Sequence, residues 1–291
     1  MEIKKDFLCI DYSWVPNSRF IFNNLSKLYS VDIVDEKTLL THNYANDYKV
    51  IILYLHEQHT IPITNKIISK YPNAKLVQHD DTDFEDIQIW SHRKPDLVMQ
   101  RELTLNSKNP WGCAVAPHHF PIPSMCDNVT DKPFDVFFMG TMTNSRRIPF
   151  IRKLIELKEG ALRHLSWNIQ VTAADVRTPI EYRSAINRSK IGLHYYGNSY
   201  DSWRLWELAS CGTCMLIPKL PLLSISDDFM PFNSPVTIKD DLSDLADKIL
   251  YYLENDRWRL KGLEIKNDYD KNHTPDKCFE HYLKMLNKYI L

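Results

Sequence analysis

Short apolar stretches recur along the chain, each separated from the next by a longer mixed segment. In the first 125 residues they are Phe7–Ile10 (FLCI), Val31–Val34, Val50–Leu55 (VIILYL), Lys75–Gln78 and Asp96–Met99. VIILYL is apolar at every position, which predicts a strand covered on both faces, as in a parallel sheet flanked by helices. Between these stretches, apolar residues at three- and four-residue spacing predict helices over Ser18–Leu28 and Ile63–Tyr71. After residue 133 the alternation restarts. Strands are predicted at Asp135–Met139 (DVFFM), Asn168–Thr172, Ile191–Tyr195 and Cys214–Ile217. Helices are predicted at Ile148–Glu159, Pro179–Ser189, Trp203–Ala209, Leu242–Asn255 and Pro275–Tyr289.

Strands that alternate with helices predict an α/β fold with parallel sheets and right-handed crossovers. Prolines at 117, 121, 123 and 133 mark a linker between the two halves. The expected organisation is a Rossmann-like domain over 1–125, a second over 133–275, and a terminal helix over 276–291 that packs back toward the first. Two such halves are expected to face a central cleft. In open α/β sheets, ligands lie beyond the carboxyl ends of the strands. The positions to watch are therefore Asp11, His56-Glu57, His79-Asp80-Asp81 and Arg101-Glu102 in the first half. In the second they are Gly140-Thr141, Thr172, Tyr196-Gly197 and Pro218.

Composition narrows the function. The formal net charge of the 291 residues is −1, so no global field draws the chain to nucleic acid or a membrane surface. Only 7 glycines occur, and neither the G-x-G-x-x-G nor the G-x-x-x-x-G-K-[ST] phosphate loop is present. No run of 18 apolar residues predicts a membrane span, and the N-terminal residues do not read as a secretory signal, so a cytoplasmic location is expected. The six cysteines are then expected to be buried thiols, including Cys211 and Cys214 of the Cys-x-x-Cys in WELASCGTCMLIP.

Several segments of the second half resemble group 1 glycosyltransferases. FMGTMTNSRRIPFIRKL (138–154) resembles the opening of their C-terminal domain: strand, glycine, loop, then arginine at a helix start. EYRSAINRSKIGLHYY (181–196) resembles the helix and strand before the donor pocket. DSWRLWELASCGTCMLIP (201–218) resembles the donor signature, an Arg-x-x-Glu on a helix followed by Ala-x-x-Gly and an apolar strand. DLSDLADKILYYLENDRWR and NHTPDKCFEHYL resemble the late helices. The resemblance covers about residues 133–285 and is nearest to the spore-maturation-protein-like branch, with exostosin-type enzymes as relatives. It implies the two-Rossmann (GT-B) fold, with a nucleotide sugar held by the second domain, the acceptor by the first, and no metal cofactor.

The resemblance gives Glu207 the donor ribose hydroxyls, a task suited to an acceptor-only carboxylate. Arg204 lies one helical turn earlier, on the same face, and a guanidinium fork suits diphosphate. Backbone N–H groups at Gly140 and Thr141, after a strand end, are placed to meet phosphate. Arg146 and Arg147 open a helix against its dipole, which suggests an anionic partner, and Arg146 is preferred. Tyr196 is expected to line the pocket, and Ser202 to cap the signature helix or meet the donor. Ser199 stands eight positions before Glu207, where many retaining members carry a second glutamate, so the stereochemistry stays open.

An inverting reaction needs a base for the acceptor hydroxyl. Asp11, His56, His79, Asp80 and Asp81 are candidates, with Asp80 and His79 first. Asp81-Thr82-Asp83 is an Asp-x-Asp, but such a triplet is common by chance and the two-domain alternation argues for a metal-independent fold; His118-His119 has no Cys/His partner spacing that supports a metal. The expected activity is transfer of a sugar from a nucleotide-diphosphate donor to a hydroxyl acceptor, a glycan first. The alternatives are a non-catalytic sugar or nucleotide binder of the same fold, and glycosylation of a modified nucleic-acid base.

Overall fold

A computed structural model of the chain describes residues 4–11, 16–35, 37–45, 47–55, 61–119, 121–127, 129–141, 145–172 and 179–291. His56 and Glu57 lie outside the described residues. The chain divides into two compact units, one of Met1–Pro121 with Asp276–Leu291, the other of Ile122–Pro275. The division falls inside the proline-rich stretch, and the terminal helix belongs to the first unit.

The first unit contains strands β1 (Lys4–Asp11), β2 (Val31–Asp35), β3 (Asp47–Leu55), β4 (Lys75–Asp80), β5 (Leu97–Gln100) and β6 (Ala114–Pro117). Helices α1 (Pro16–Leu25), α2 (Ile61–Lys70) and, much later in the chain, α8 (Pro275–Tyr289) accompany them. All pairings are parallel, in the order β2-β1-β3-β4-β5-β6. Leu8, Ile10, Ile51, Leu53, Ile68 and Leu76 are fully buried in one cluster, as uninterrupted apolar strands require.

The second unit contains β7 (Phe134–Thr141), β8 (Trp167–Thr172), β9 (Ser189–Leu193), β10 (Cys214–Pro218) and β11 (Val236–Ile238). Its helices are α3 (Arg147–Glu159), α4 (Pro179–Asn187), α5 (Trp203–Ser210), α6 (Leu245–Leu253) and α7 (Arg257–Asn272). The sheet is parallel, ordered β11-β10-β9-β7-β8. Counted from each unit's own first strand, the sheets run 2-1-3-4-5-6 and 2-1-3-4-5, a doubly wound order whose switch point lies between strands 1 and 3. In the second unit that point is the pair of carboxyl ends of β7 and β9.

Three elements go beyond the sequence expectations. β6 and β11 have four and three residues, too short to show a period. α7 is rich in charge, and its buried face reads Trp258, Gly262, Ile265, Tyr269. A glycine interrupts that apolar stripe because α7 backs onto the turn after α5. A Cβ at Gly262 would sit 2.2 Å from the Gly212 carbonyl oxygen. Gly212 itself has φ +60°, the left-handed conformation that glycine adopts at low cost. Strand β9 also lies two residues earlier than the predicted Ile191–Tyr195, which leaves Tyr195 and Tyr196 in the connection beyond it.

Candidate nucleotide-sugar site

Side chains from four elements of the second unit converge at this switch point. β7 ends in Gly140 and Thr141, β9 continues into His194–Gly197, α3 begins at Arg147, and α5 carries Arg204 and Glu207. Trp206 anchors α5: its Nε1–H donates to Asp201 Oδ1 at 2.7 Å, and its ring packs 4.8 Å from His273 and 5.2 Å from Phe232. Thus the loop before α5 is tied to the helix, and the His-Thr element at 273–274 supports the helix from below. Burial pushes the His273 imidazole down to about 4, so it stays neutral and bonds the Pro231 carbonyl at 3.0 Å.

Glu207 is half-buried and accepts a hydrogen bond from the Tyr182 hydroxyl at 2.8 Å. Burial, and then the Glu207 charge, hold the Tyr182 phenol well above its usual range, so Tyr182 remains a donor. Arg204 hydrogen-bonds the same phenol and lies over the Phe138 ring at 5.5 Å. Its Nε and Nη1 are buried and have no acceptor among the described residues.

Arg147, the second of the paired arginines, occupies the site. It is only 8% exposed, and its Nη1 donates to the Thr141 carbonyl at 3.2 Å. Its Nε is buried without an acceptor among the described residues. Burial, then the nearby Arg204 charge, push this guanidinium down to about 10. Arg146, preferred from sequence, is exposed and sits 5.9 Å from the Tyr200 ring. Helix register is the reason: Arg147, Phe150, Ile151 and Leu154 share the buried face of α3, and Arg146 falls outside it.

Gly197 permits this arrangement. A Cβ there would meet Arg147 Nη2 at 2.5 Å and Cζ at 2.8 Å. His194 is fully buried between the two arginines' fields; burial first, then Arg204 and Arg147, push it down to about 3. A neutral imidazole therefore adds no positive charge to the pair. Tyr196 is half-buried, stacked 4.5 Å from Tyr195, which itself lies 4.5 Å from Phe150. Ser202 occupies the N-cap position of α5 without making a cap bond, and its Oγ is buried without a partner among the described residues. The Ser199 hydroxyl turns to the Asp201 carbonyl at 2.8 Å.

The buried Arg147 and the half-buried Arg204, both with unused N–H donors, lie beside a helix N-terminus, an arrangement able to receive an anion. The adjacent Glu207 carboxylate offers the complementary function, acceptance from hydroxyl groups. The sequence placed Arg147 second to Arg146 and did not point to Tyr182. Arg147 had a signal, the i, i+3, i+7 spacing to Phe150 and Leu154. Tyr182 is 25 residues from Glu207, and only the fold brings them together.

The first unit's candidates lie at the end of β4 and are deeply buried. His79 stacks on Tyr54 at 4.2 Å, and burial holds its pKa well below the usual range. Asp80 Oδ1 accepts from the Thr82 backbone N–H at 2.9 Å and the Thr82 hydroxyl at 2.6 Å. Burial raises the Asp80 pKa. The Asp-x-Asp does not act as a pair: Asp83 accepts from Arg101 at 2.7 Å, whereas Asp81 accepts from the Tyr54 hydroxyl. Asp11 ends β1 and is buried.

The cysteines are thiols, with no disulfide among them. Burial pushes both Cys211 and Cys214 up to about 12, opposite to the shift a reactive dithiol needs. No helix among the described residues is long and apolar enough to cross a membrane.

Residues 146–284, just under half the chain, match a family described as glycosyl transferase-like. No curated protein sequence matches the chain. Among solved structures, an α-glucosyltransferase in complex with UDP-glucose and DNA containing an abasic site is similar, with 10% identity and a TM-score of 0.60. That match covers 98% of this chain and 100% of that one. Anabaena Alr3699/HepE in complex with UDP and glucose is similar at 9% identity and a TM-score of 0.55, over 98% and 100% of the two chains. The N-terminal domain of Candida albicans trehalose-6-phosphate phosphatase reaches a TM-score of 0.65 at 7% identity, over 99% and 97%. The chain has the two-Rossmann fold of the GT-B glycosyltransferases.

Proposed function

We propose that the protein transfers a sugar from a UDP-sugar to a hydroxyl acceptor, a glycan first among the candidates. The observation that carries this reading is the group formed by Arg147, Arg204 and Glu207: one buried and one half-buried guanidinium, both with unused buried donors, beside a half-buried carboxylate. Their chemistry matches a diphosphate next to a ribose. The family match over residues 146–284 and the UDP-bound structures of the same fold support it.

In this reading Glu207 accepts hydrogen bonds from the ribose hydroxyls, and Tyr182 holds the carboxylate in place. Arg147 and Arg204, with backbone N–H groups near Gly140 and Thr141, stabilise the charge that grows on the departing diphosphate. Preorganised positive charge in a water-poor site acts on the transition state at low reorganisation cost, so the transfer step draws on arginines rather than on a metal. Tyr196 and Ser202 line the sugar-nucleotide side. Arg146 is placed at the periphery of the donor.

The acceptor falls to the first unit. Asp80 is the proposed base, because burial raises its carboxyl toward the working range of a general base. His79, enclosed between Tyr54 and His118, is set behind it. Ser199 in place of a second glutamate favours a second reading, a binder of sugar nucleotide without transfer.

The test is release of UDP from UDP-glucose, UDP-N-acetylglucosamine and UDP-galactose, with and without a glycan acceptor panel. Turnover that falls at least 100-fold in Arg204→Gln supports the proposal. Wild-type binding of UDP without any turnover supports the binder instead, and absence of both sinks the site.

A further inference from the structure

Three buried side chains of the first unit form a second cluster, separate from the arginine and glutamate group of the second unit. His79 lies on β4, Asp81 directly follows it, and His118 follows β6; they are 0%, 5% and 7% exposed. Among the described residues this is a group whose ligand atoms all lie within 4.8 Å of one another. Asp81 Oδ1 is 3.2 Å from His118 Nε2 and 3.8 Å from His79 Nδ1. Around a tetrahedral zinc with bonds near 2.05 Å, neighbouring ligand atoms sit about 3.4 Å apart. The two separations straddle that value.

These atoms also lack other work. His79 Nδ1 and Nε2, Asp81 Oδ1 and His118 Nε2 are buried with no hydrogen-bond partner among the described residues. Leaving buried polar atoms unpaired is costly, and an ion held by one His79 nitrogen, Asp81 Oδ1 and His118 Nε2 answers three of these four vacancies at once. A protonated His118 paired with Asp81 is the simplest alternative. It fails on geometry: the Nε2 and Oδ1 atoms lie 3.2 Å apart but do not meet as a hydrogen bond.

The supporting contacts fit the chemistry of metal ligands. The His118 ring hydrogen-bonds the Asp80 backbone; with Nε2 turned to Asp81, the nitrogen left for that bond is Nδ1. A backbone bond of this kind fixes the tautomer that presents a lone pair at Nε2. Asp81 keeps its second oxygen on the Tyr54 hydroxyl, and Tyr54 stacks on His79.

We infer that His79, Asp81 and His118 bind one divalent transition-metal ion, zinc by the nitrogen and oxygen donor set. The ion ties the carboxyl ends of β4 and β6 together across β5, which lies between them in the sheet. This holds whether or not the other unit binds a nucleotide, since no residue is shared.

The experiment is metal analysis of the full chain purified without chelator, then after dialysis against a strong chelator, then after addition of zinc or cobalt alone. We expect about one zinc per chain, a lower melting midpoint once it is stripped, and visible d–d bands of tetrahedral cobalt on refilling. His118→Gln and Asp81→Asn should hold less than about a tenth of an equivalent. His119→Gln and Cys278→Ser, whose side chains approach each other at 3.6 Å, should hold a full equivalent. UDP binding at the other unit should survive chelation. If the stripped wild type takes up neither zinc nor cobalt stoichiometrically, the site does not exist. If His118→Gln folds and keeps its metal, or Cys278→Ser loses it, the ligands are wrong. Should His118→Gln fail to fold, the wild-type stripping and cobalt spectrum alone decide.

Discussion

Replacing Gly197 with alanine tests the donor site through a residue that touches no ligand. The added Cβ would stand 2.5 Å from Arg147 Nη2 and 2.8 Å from Cζ, distances that side chains do not tolerate. The obstructing group is the far end of a flexible side chain, so Arg147 swings aside while the backbone stays. Among the described glycines only Gly112 and Gly212 have positive φ; alanine therefore meets no backbone strain at 197, and the melting midpoint should hardly move. The displaced guanidinium loses its charge-assisted hydrogen bonds to phosphate, worth about 1.5–3 kcal/mol. At about 1.4 kcal/mol per decade, UDP affinity falls roughly 10- to 150-fold. Calorimetric titration of UDP reads this directly, with Arg147→Gln as the matching variant and Arg146→Gln as the control that stays near wild type. Wild-type affinity in both Gly197→Ala and Arg147→Gln would refute the role given to Arg147.

Four further outcomes follow from the same geometry. Tyr182→Phe removes the 2.8 Å bond to Glu207 and should weaken UDP by about 1 kcal/mol, roughly fivefold by titration, with a smaller effect on UMP-free pyrophosphate. His273 has its folded pKa depressed to about 4, so its neutral form is favoured on folding. That stability is fully present above about pH 6.5 and is lost as pH falls toward 4, at up to about 1.4 kcal/mol per pH unit. Thermal melts should therefore show a steeper acid decline in wild type than in His273→Gln, and equal slopes would contradict the assignment. A thiol reagent should modify exposed Cys126 quickly and leave Cys211 and Cys214 unreacted until unfolding, because burial pushes both to about 12. Phe150→Ala, which empties a fully buried ring position against Tyr195 and Phe138, should destabilise the chain by about 3–5 kcal/mol in denaturant titration.

The fold was readable because its strands are short and apolar throughout, and its longer helices keep a 3.6-residue stripe. VIILYL and DVFFM announce central parallel strands without help from other elements. The failures have local causes. β6 and β11 are shorter than any period can register, and α7 hides behind Gly262, where close approach to Gly212 forbids a side chain. In the site, Arg204 and Glu207 were legible as an i, i+3 pair on one helix. Arg147 was readable in principle from the α3 register, yet adjacency to Arg146 obscured it. Tyr182 gave no signal, and His118 stood out only as half of a histidine pair with no ligand spacing around it. Each reaches its partners through strand order, α4 against α5 and β6 across β5 from β4, which no sequence spacing carries.

The central claim is that Arg147, Arg204 and Glu207 hold a nucleotide diphosphate. Calorimetric titration of UDP into wild type and Glu207→Ala tests it most directly. The account predicts saturable one-to-one binding by wild type and a loss of at least tenfold in the variant, since the ribose hydroxyls lose an ionised acceptor. No binding to the folded wild type, or equal binding by Glu207→Ala, would contradict it.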